Sequence, residues 1–442
     1  MITLRPHQDV AAAFMASRAR AILGDAPGLG KTFTTVEALR RAGHRAPEIV
    51  VIAPAIAREV WRDAFRRLPL SDAGVPDVFS YNEIVASGAN AERKRARIRE
   101  AQAIVLDEAH YLANPTSQRT KLILGREGFA RAALRVYALS GTIMRRNPMD
   151  LWPILMALAP EVLRAIGTTT SRAFLNKFCV YRETQYGIKV LAAKHLEELR
   201  AAMASVYLER DETSAGVELP PLDFGATPLV VKSPPSLAQF PELEEAIARA
   251  MANGDSLATA FTSAEGAQLR RLLGLAKAGA AAEMIVEEYD GPCVVFAYHL
   301  DVIEMLAEAL RAAGLRVAVL TGATSEAGRV ERVEGFQAGR YDVFLGQIIA
   351  CQTALTLTRA RRGYSVEPWW AADTNWQAAK RLHRIGQAHP VLVRALLVPG
   401  TIDDAIWAQH ERETKMMTQF RTAEGRAEAV PELDLDELVH LL

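Results

Sequence analysis

Residues 24–32 read GDAPGLGKT and lie between an apolar run, ARAIL (19–23), and a helical pattern, FTTVEALRR (33–41). A glycine-rich turn that follows a strand and opens a helix is the setting of a phosphate-binding loop. Gly28 and Gly30 let backbone N–H groups turn toward a polyphosphate, and the N-terminus of the helix adds partial positive charge. The stretch therefore predicts an α/β domain with a nucleotide site at this turn.

The side chains of this loop have separate predicted roles in binding ATP. Lys31 would reach the β- and γ-phosphates, and Thr32 would hold Mg²⁺. Leu29 completes the loop between the two glycines. A strict phosphate-loop pattern has glycine where this chain has Asp25, and we include Asp25 among the ATP-binding residues. The alternative is a glycine-rich turn that closes a strand–helix unit and binds no ligand.

A second motif, AIVLDEAH (103–110), follows about 75 residues after the loop and places two acidic residues at the end of an apolar strand. A carboxylate in that position lies near a phosphate loop and can bind Mg²⁺, which is the predicted role of Asp107. Glu108 would polarise the attacking water as the catalytic base. His110 would couple this site to the rest of the protein. The alternative is a helix N-cap with an acidic first turn.

Short β-rich runs alternate with helical patterns in two regions, which predicts two parallel sheets and an α/β fold. The predicted strands of the first region are 19–24, 48–53, 103–108 and 135–140. Those of the second are 293–298, 316–321, 342–347, a segment near 365–370, and 391–398, with a helix at 301–314. The predicted domains are a first lobe (1–160), a helical insertion (161–217), a linker and helical connector (218–290), a second lobe (291–410), and a C-terminal helix with an acidic tail (411–442).

Composition excludes several classes of protein. The 442 residues include 52 Lys and Arg against 52 Asp and Glu, so no overall charge indicates a polyanionic partner. No apolar run approaches the roughly 20 residues that span a bilayer, and no signal-peptide core is visible, which predicts a cytoplasmic protein without membrane contact. Three scattered cysteines form neither a disulfide framework nor a zinc site.

Five further segments match one protein family in order and spacing. They are LRPHQ (4–8), VIAPAIAREVW (51–61), SGT (140–142), LTLTRA (355–360) and QAAKRLHRIGQ (377–387). With the phosphate loop and DEAH, they make the chain resemble the helicase-like ATPases of superfamily 2, specifically the SWI/SNF type. Within that family it resembles the branch of HepA-related annealing helicases, in VVFAYHLDVIEMLAEAL (294–310), LTGATS (320–325) and GTIDDAIW (400–407). The resemblance covers about residues 1–160 and 290–410.

This resemblance implies two tandem RecA-like lobes and further site residues. Gln8 would read the adenine edge, and Arg5 would stack on or flank the base. Arg381 and Arg384 would act as arginine fingers on the γ-phosphate, and their spacing places them on one helix face if the segment is helical. The alternative for both is a surface helix with ordinary arginines. The residues expected to couple hydrolysis to the nucleic acid, besides His110, are Ser140, Gly141, Thr142 and Gln377.

The function implied is a DNA-stimulated ATPase that uses Mg²⁺ and hydrolyses ATP at the interface of the two lobes. It would translocate on duplex or forked DNA without sequence preference, as a monomer. One alternative is a helicase that separates strands of DNA or RNA. Another is a nucleic-acid-binding assembly factor that hydrolyses nothing, which the intact set of motif residues argues against. No accessory domain is evident, so we expect a minimal motor core of bacterial or viral origin.

The chain departs from the family pattern at three places. Trp370 is followed by alanine where the family commonly has an Asn-Pro step, and Lys380 replaces an acidic residue before the first finger arginine. Ala354 stands where a glycine is usual, and glycine permits close backbone approach. These departures bear on efficiency and substrate preference more than on ATP binding.

Overall fold

A computed structural model describes residues 3–70, 74–184, 187–235, 239–243, 245–247, 263–351 and 355–422. These residues form two compact units. Among the described residues, the first contains the chain up to Val180, Val190–Glu218 and residues 415–422, and the second contains Tyr181–Lys189 and Leu219–Thr414. Ala354, residues 248–262 and the expected acidic tail after 422 lie outside the described residues.

The first unit is built on a six-stranded parallel sheet with the order β3-β2-β4-β5-β1-β8. Its strands are β1 (Arg20–Leu23), β2 (Ile49–Ala53), β3 (Asp77–Ser80), β4 (Ala103–Leu106), β5 (Arg135–Leu139) and β8 (Tyr207–Leu208). All residues of β2 and β4 are buried. Continuous apolar strands of this kind are expected where helices cover both faces of a parallel sheet.

The first unit also contains helices, and a small two-stranded hairpin has residues in both units. The helices are α1 (Pro6–Ala16), α2 (Lys31–Arg41), α3 (Arg58–Arg67), α4 (Tyr81–Val85), α5 (Ala89–Arg99), α6 (Gln118–Leu124), α7 (Phe129–Ala132), α8 (Trp152–Leu158), α9 (Pro160–Ala165), α10 (Ser171–Phe178) and α11 (Leu196–Met203). The hairpin pairs β6 (Cys179–Thr184) with β7 (Gly187–Ala193).

The second unit also has a six-stranded parallel sheet, with the order β11-β12-β10-β13-β14-β9. Its strands are β9 (Leu222–Pro228), β10 (Cys293–Ala297), β11 (Val317–Leu320), β12 (Val343–Gln347), β13 (Arg362–Ser365) and β14 (Val391–Leu397). Its helices are α12 (Ala264–Glu287), α13 (Leu300–Ala312), α14 (Glu326–Gln337), α15 (Ala372–Ala379) and the first part of α16 (Ile402–Thr422). The residues of α16 from Lys415 onward belong to the first unit.

The predicted α/β class with two parallel sheets is confirmed. The strand expected near 365–370 is misplaced, because β13 occupies Arg362–Ser365. Pro368 has no N–H to donate to a ladder, so residues beyond it cannot continue a central strand. The segment 161–217, expected to be helical, also contains the β6–β7 hairpin and β8. No helix among the described residues combines the length and apolar composition that a membrane span requires.

Candidate functional site

The predicted phosphate loop joins the end of β1 to the first residue of α2. Gly28 and Gly30 have φ values of 99° and 84°, in the left-handed region that glycine adopts without a Cβ penalty. A Cβ on Gly30 would also lie 2.2 Å from Gln8 Nε2. Any other residue at position 30 would therefore strain the backbone and displace Gln8.

Two predicted ligands of ATP and Mg²⁺ begin α2. Lys31 Nζ donates to the loop carbonyls of Asp25 (2.6 Å) and Ala26 (3.4 Å). Thr32 follows in the first turn and is partly exposed. Gly141 lies close to this turn, since a Cβ there would be 3.4 Å from Lys31 Nζ. The SGT segment therefore lies against the phosphate loop.

Helix α1 rests on the same loop. Gln8 Nε2 lies 3.4 Å from the carbonyl oxygens of both Leu29 and Gly30, and Gln8 Oε1 accepts from Arg5 N at 2.9 Å. His7 Nε2 lies 3.0 Å from the Leu29 carbonyl oxygen. The Gln8 amide thus contacts the loop backbone, while Arg5 is exposed at the start of the helix.

Asp107 directly follows β4, and both oxygens of its carboxylate accept a hydrogen bond. Oδ2 accepts from Trp61 Nε1 at 2.8 Å, and Oδ1 accepts from Glu108 N at 3.0 Å. Burial, followed by the negative charge of Glu108, raises the pKa of Asp107, whereas the Trp61 hydrogen bond and the Lys31 charge lower it. A divalent cation would stabilise these buried charges, so the carboxyl pair fits a Mg²⁺ site.

Glu108 has a φ of 49°, which is rare for a residue with a side chain. Such strain costs on the order of 1–3 kcal/mol and is concentrated at functional sites. A 3₁₀ turn, Ala109–Leu112, follows, but the Glu108 side chain does not cap it. This geometry does not support the alternative in which the acidic pair only caps a helix.

The DEAH and SGT segments are in contact within the first unit. His110 Nδ1 lies 3.3 Å from Glu108 Oε2 and 2.9 Å from Ser140 Oγ. The Ser140 hydroxyl also accepts from Thr142 N at 3.2 Å. The His110 imidazole thus lies between Glu108 and the SGT segment and contacts both.

Asp25 contributes its backbone and its side chain to different contacts. Its carbonyl oxygen accepts from Lys31, whereas its carboxylate, with a side chain that is 1% exposed, pairs with Arg210. Both carboxylate oxygens are engaged, at 3.0 Å from Arg210 Nε and 2.6 Å from Nη2. The side chain predicted to belong to the ATP-binding set thus forms a buried ion pair beneath the loop.

The predicted arginine fingers lie in the second unit, in the turn after α15. Because α15 ends at Ala379, the condition for Arg381 and Arg384 to share a helix face is not met. Gln387 contacts this turn through its amide Nε2, which lies 3.1, 2.9 and 3.0 Å from the carbonyl oxygens of Thr358, Ala360 and Leu382 and shares its two N–H groups among them. Two of these partners are 29 and 27 residues away, so distant backbone helps to hold the turn that follows α15.

Both arginines are attached to the LTLTRA segment. Arg384 Nη1 donates to the Leu355 carbonyl oxygen at 2.9 Å, and burial lowers the pKa of its guanidinium. The Arg381 carbonyl oxygen accepts from Leu357 N at 2.9 Å. Gln377 is buried on α15. The last two family motifs of the second unit thus form one packed substructure.

A family model described as the helicase conserved C-terminal domain matches residues 276–386. The chain is 26% identical over 96% of its length to a SWI/SNF-related matrix-associated actin-dependent regulator of chromatin subfamily A-like protein 1 from Xenopus tropicalis. It is 25% identical over 95% of its length to the DNA annealing helicase and endonuclease ZRANB3 of Mus musculus. These comparisons make the chain similar to helicase-like proteins of the SWI/SNF type.

The chain spans less than half of those two relatives, 45% and 40% of their lengths. It also aligns with the solved SWI2/SNF2 ATPase core of Sulfolobus solfataricus in complex with dsDNA, over 97% of each chain at 19% identity, with a TM-score of 0.40. The predicted resemblance to the SWI/SNF type is confirmed.

Sequence reasoning missed three residues that support the site. Trp61 donates to Asp107, Tyr81 Oη donates to the Asp107 carbonyl at 2.7 Å, and Arg210 pairs with Asp25. Trp61 lies inside a quoted family segment, and a buried indole N–H usually has a partner, so its role could have been anticipated. Nothing near Arg210 in the sequence indicates a partner 185 residues away.

Proposed function

We propose that this chain is a DNA-stimulated ATPase that translocates on duplex or forked DNA. The observation that carries the proposal is the cluster formed in the first unit by Lys31, Asp107 and Glu108 beside a loop with two left-handed glycines. The relatives whose names include a DNA annealing helicase support DNA as the substrate on which the motor acts.

The residues of the first unit divide the chemistry among them. Loop N–H groups and Lys31 would bind the phosphates of ATP. Thr32 and Asp107 would hold Mg²⁺, which supplies positive charge that neutralises the phosphates when it is bound. Glu108 would accept a hydrogen bond from the attacking water and take up its proton. Gln8 and Arg5 are assigned to the adenine.

The second unit would supply the remaining positive charge. Arg384 and Arg381 carry guanidinium groups that can stabilise charge developing on the γ-phosphate oxygens during transfer. Turnover would then require both units, whereas nucleotide binding would depend mainly on the first. We infer that His110, Ser140, Thr142 and Gln377 link this chemistry to DNA.

DNA binding would depend on the phosphate backbone and be independent of base sequence. Contacts to phosphates position a protein on a duplex without reading bases. Their strength falls steeply as the salt concentration rises, because the counterions that binding releases gain less entropy in a more concentrated solution. The balanced formal charge of the chain is compatible with local basic contacts of this kind. We take the active species to be a monomer.

The test is the ATPase rate of the purified chain with single-stranded, duplex and forked DNA and with RNA, at two salt concentrations. Lys31→Ala is the control for contaminating ATPases. We expect stimulation by duplex and forked DNA of unrelated sequences, reduced at the higher salt concentration. Stimulation by RNA alone would favour the strand-separating alternative, and hydrolysis that no nucleic acid stimulates would contradict the proposal.

A further inference from the structure

The chain from Val206 to Arg210 runs beside the strand and loop that would bind ATP. Its carbonyl oxygens accept hydrogen bonds from three alternate backbone N–H groups. The pairs are Ile22 N with Val206 O (2.7 Å), Gly24 N with Leu208 O (2.7 Å) and Ala26 N with Arg210 O (2.8 Å). The parallel pairing of β1 with β8 thus continues past the end of β1 into the phosphate loop.

The side chain of Arg210 adds a second set of contacts. Its guanidinium forms two hydrogen bonds with the Asp25 carboxylate, and its Nη1 donates to the His7 carbonyl oxygen at 2.8 Å. The pair is shielded from solvent, with side-chain exposures of 11% for Arg210 and 1% for Asp25. One guanidinium therefore joins the phosphate loop to helix α1.

The two segments that Arg210 joins carry groups assigned to ATP. The Asp25 carbonyl oxygen holds Lys31 Nζ at 2.6 Å, and Gln8 on α1 contacts the far end of the loop. A glycine-rich loop has little conformational preference of its own, so contacts from outside must select its conformation. A planar, bidentate arginine is suited to that task because its geometry fixes both partners.

We propose that Arg210 is a positioning residue of the nucleotide site, which holds the phosphate loop and α1 in the conformation that binds ATP. The inference rests on the proposed function and deepens it, since Arg210 acts through Asp25 and His7 and does not touch the nucleotide. The contrasting role is a buried ion pair that contributes to folding alone. The positioning role and the folding role predict different nucleotide affinities for a variant that lacks both the Asp25 and the Arg210 charge.

The experiment measures the affinity of each variant for N-methylanthraniloyl-ADP with Mg²⁺, its thermal midpoint, and amide hydrogen exchange of residues 24–31. The variants are Arg210→Met, the double variant Asp25→Ala/Arg210→Met, and Lys31→Ala. Arg210→Met leaves Asp25 buried without its cation and is expected to lose stability. The double variant leaves no buried charge without a partner, so its nucleotide affinity distinguishes the positioning role from a role in folding alone. Arg95→Met is the matched control, because Arg95 donates to two backbone carbonyls of the same unit, those of Ile84 and Ala86.

We expect the double variant to recover a thermal midpoint near that of the wild type while its nucleotide dissociation constant stays raised by about tenfold or more, the scale of a lost charge-assisted hydrogen bond. Exchange of residues 24–31 should be faster than in the wild type, and Arg95→Met should bind nucleotide normally.

A folded double variant with wild-type affinity and exchange would overturn the positioning role. If the wild type bound the nucleotide no better than Lys31→Ala, the proposed function itself would fail. An unfolded double variant with a folded, tightly binding Arg210→Met protein would also contradict the inference.

Discussion

At the residue scale, Glu108 combines a left-handed backbone with a carboxylate beside a second acidic residue. The strained φ of 49° at Glu108 turns the chain two residues after the end of β4, whereas Asp107 N still donates to the Ile52 carbonyl oxygen at 2.8 Å. The Asp107 side chain is directed to Trp61, while the Glu108 side chain approaches His110. Two adjacent carboxylates thereby acquire different partners, which is a requirement for giving them different roles.

Replacement of Glu108 by glutamine tests the assignment of the catalytic base. Glu108→Gln keeps the size and hydrogen-bonding capacity of the side chain but cannot take up a proton at neutral pH. We expect ATP binding to be retained and turnover to fall by about 10²-fold or more. Steady-state ATPase assays and nucleotide titration measure the two effects, and Glu83→Gln, a paired residue on α4, is the control. A Glu108→Gln protein that hydrolyses ATP at the wild-type rate would exclude Glu108 as the base.

At the element scale, Arg381 and Arg384 lie in the turn after α15, so the helix on which they would have shared a face does not extend to them. Gln387 Nε2 contacts three carbonyl oxygens around this turn, and Arg384 and Arg381 both contact residues 355–357. Arginines on such a turn have backbones fixed by long-range contacts. Their positions therefore depend on the packing of the whole second unit.

Loss of Arg384 should separate turnover from binding. Arg384→Ala removes charge that acts on the transition state, so we expect turnover to fall by about 10³-fold while nucleotide affinity changes little. The comparison variant is Arg394→Ala, which breaks an ion pair with Asp223 on the same sheet. Single-turnover hydrolysis and nucleotide titration give the two quantities. Normal hydrolysis by a truncated protein without the second unit would be incompatible with a role for Arg384.

A second element-scale feature is the aromatic cluster at which β9, α15 and α16 meet. The His410 ring stacks on Trp407 with centroids 4.6 Å apart and meets Phe224 edge-on at 5.3 Å. Phe224 also lies 6.0 Å from Trp376. Burial lowers the pKa of His410 to about 4, and the negative charge of Asp373 offsets only part of that shift. The folded second unit therefore keeps this imidazole neutral.

This cluster predicts a loss of stability in acid. Between pH 6.5 and about 4, the unfolded chain binds a proton at residue 410 that the folded protein does not bind. The free energy of unfolding should therefore decrease as pH falls through this window, by about 3 kcal/mol in total from this group. His410→Phe should remove that part of the pH dependence, as measured by denaturant unfolding at several pH values. The exposed His389→Gln is the control, and identical profiles for wild type and His410→Phe would disprove the assignment.

At the scale of the whole molecule, the proposed motor could either separate the strands of a duplex or move along an intact duplex. Strand separation opposes stacking worth about 1.4 kcal/mol per base-pair step, whereas movement along an intact duplex does not. Unwinding also requires a wedge between the strands. The helices of the 149–210 region are occupied with packing, as Trp152 and Phe174 show with ring centroids 5.5 Å apart. The β6–β7 hairpin is the remaining candidate wedge in that region.

We therefore expect ATP-dependent displacement of the third strand of a DNA triplex, with weak or no unwinding of a plain duplex. Both substrates are assayed side by side, with Lys31→Ala to show that displacement needs ATP binding. Forked substrates are expected to be annealed or remodelled. Processive unwinding of a long duplex without triplex displacement would instead assign the chain to the strand-separating helicases and would point to the β6–β7 hairpin.

Strands and motifs that depend on neighbouring residues alone could be predicted from the sequence. Buried parallel strands read as continuous apolar runs, so β1, β2, β4 and β5 were visible without a structure, as were most strands of the second sheet. The phosphate loop could also be predicted from the sequence, because Gly28 and Gly30 adopt a backbone conformation that few other residues adopt. Lys31, Asp107 and Glu108 could be proposed because they directly follow a glycine turn or a strand.

Only the tertiary structure decided which distant groups complete the site. Arg210 meets Asp25 across 185 residues, and Trp61 meets Asp107 across 46. The two residues of β8 form a strand because they pair with the edge of β1. A run of two residues is too short for its sequence pattern to predict a strand. The turn at Arg381 and Arg384 is held in part by hydrogen bonds from Gln387 to the distant Thr358 and Ala360 carbonyl oxygens, which the local sequence does not indicate. Local propensity is worth a few tenths of a kcal/mol per residue, and tertiary contacts of about 1 kcal/mol each outweigh it.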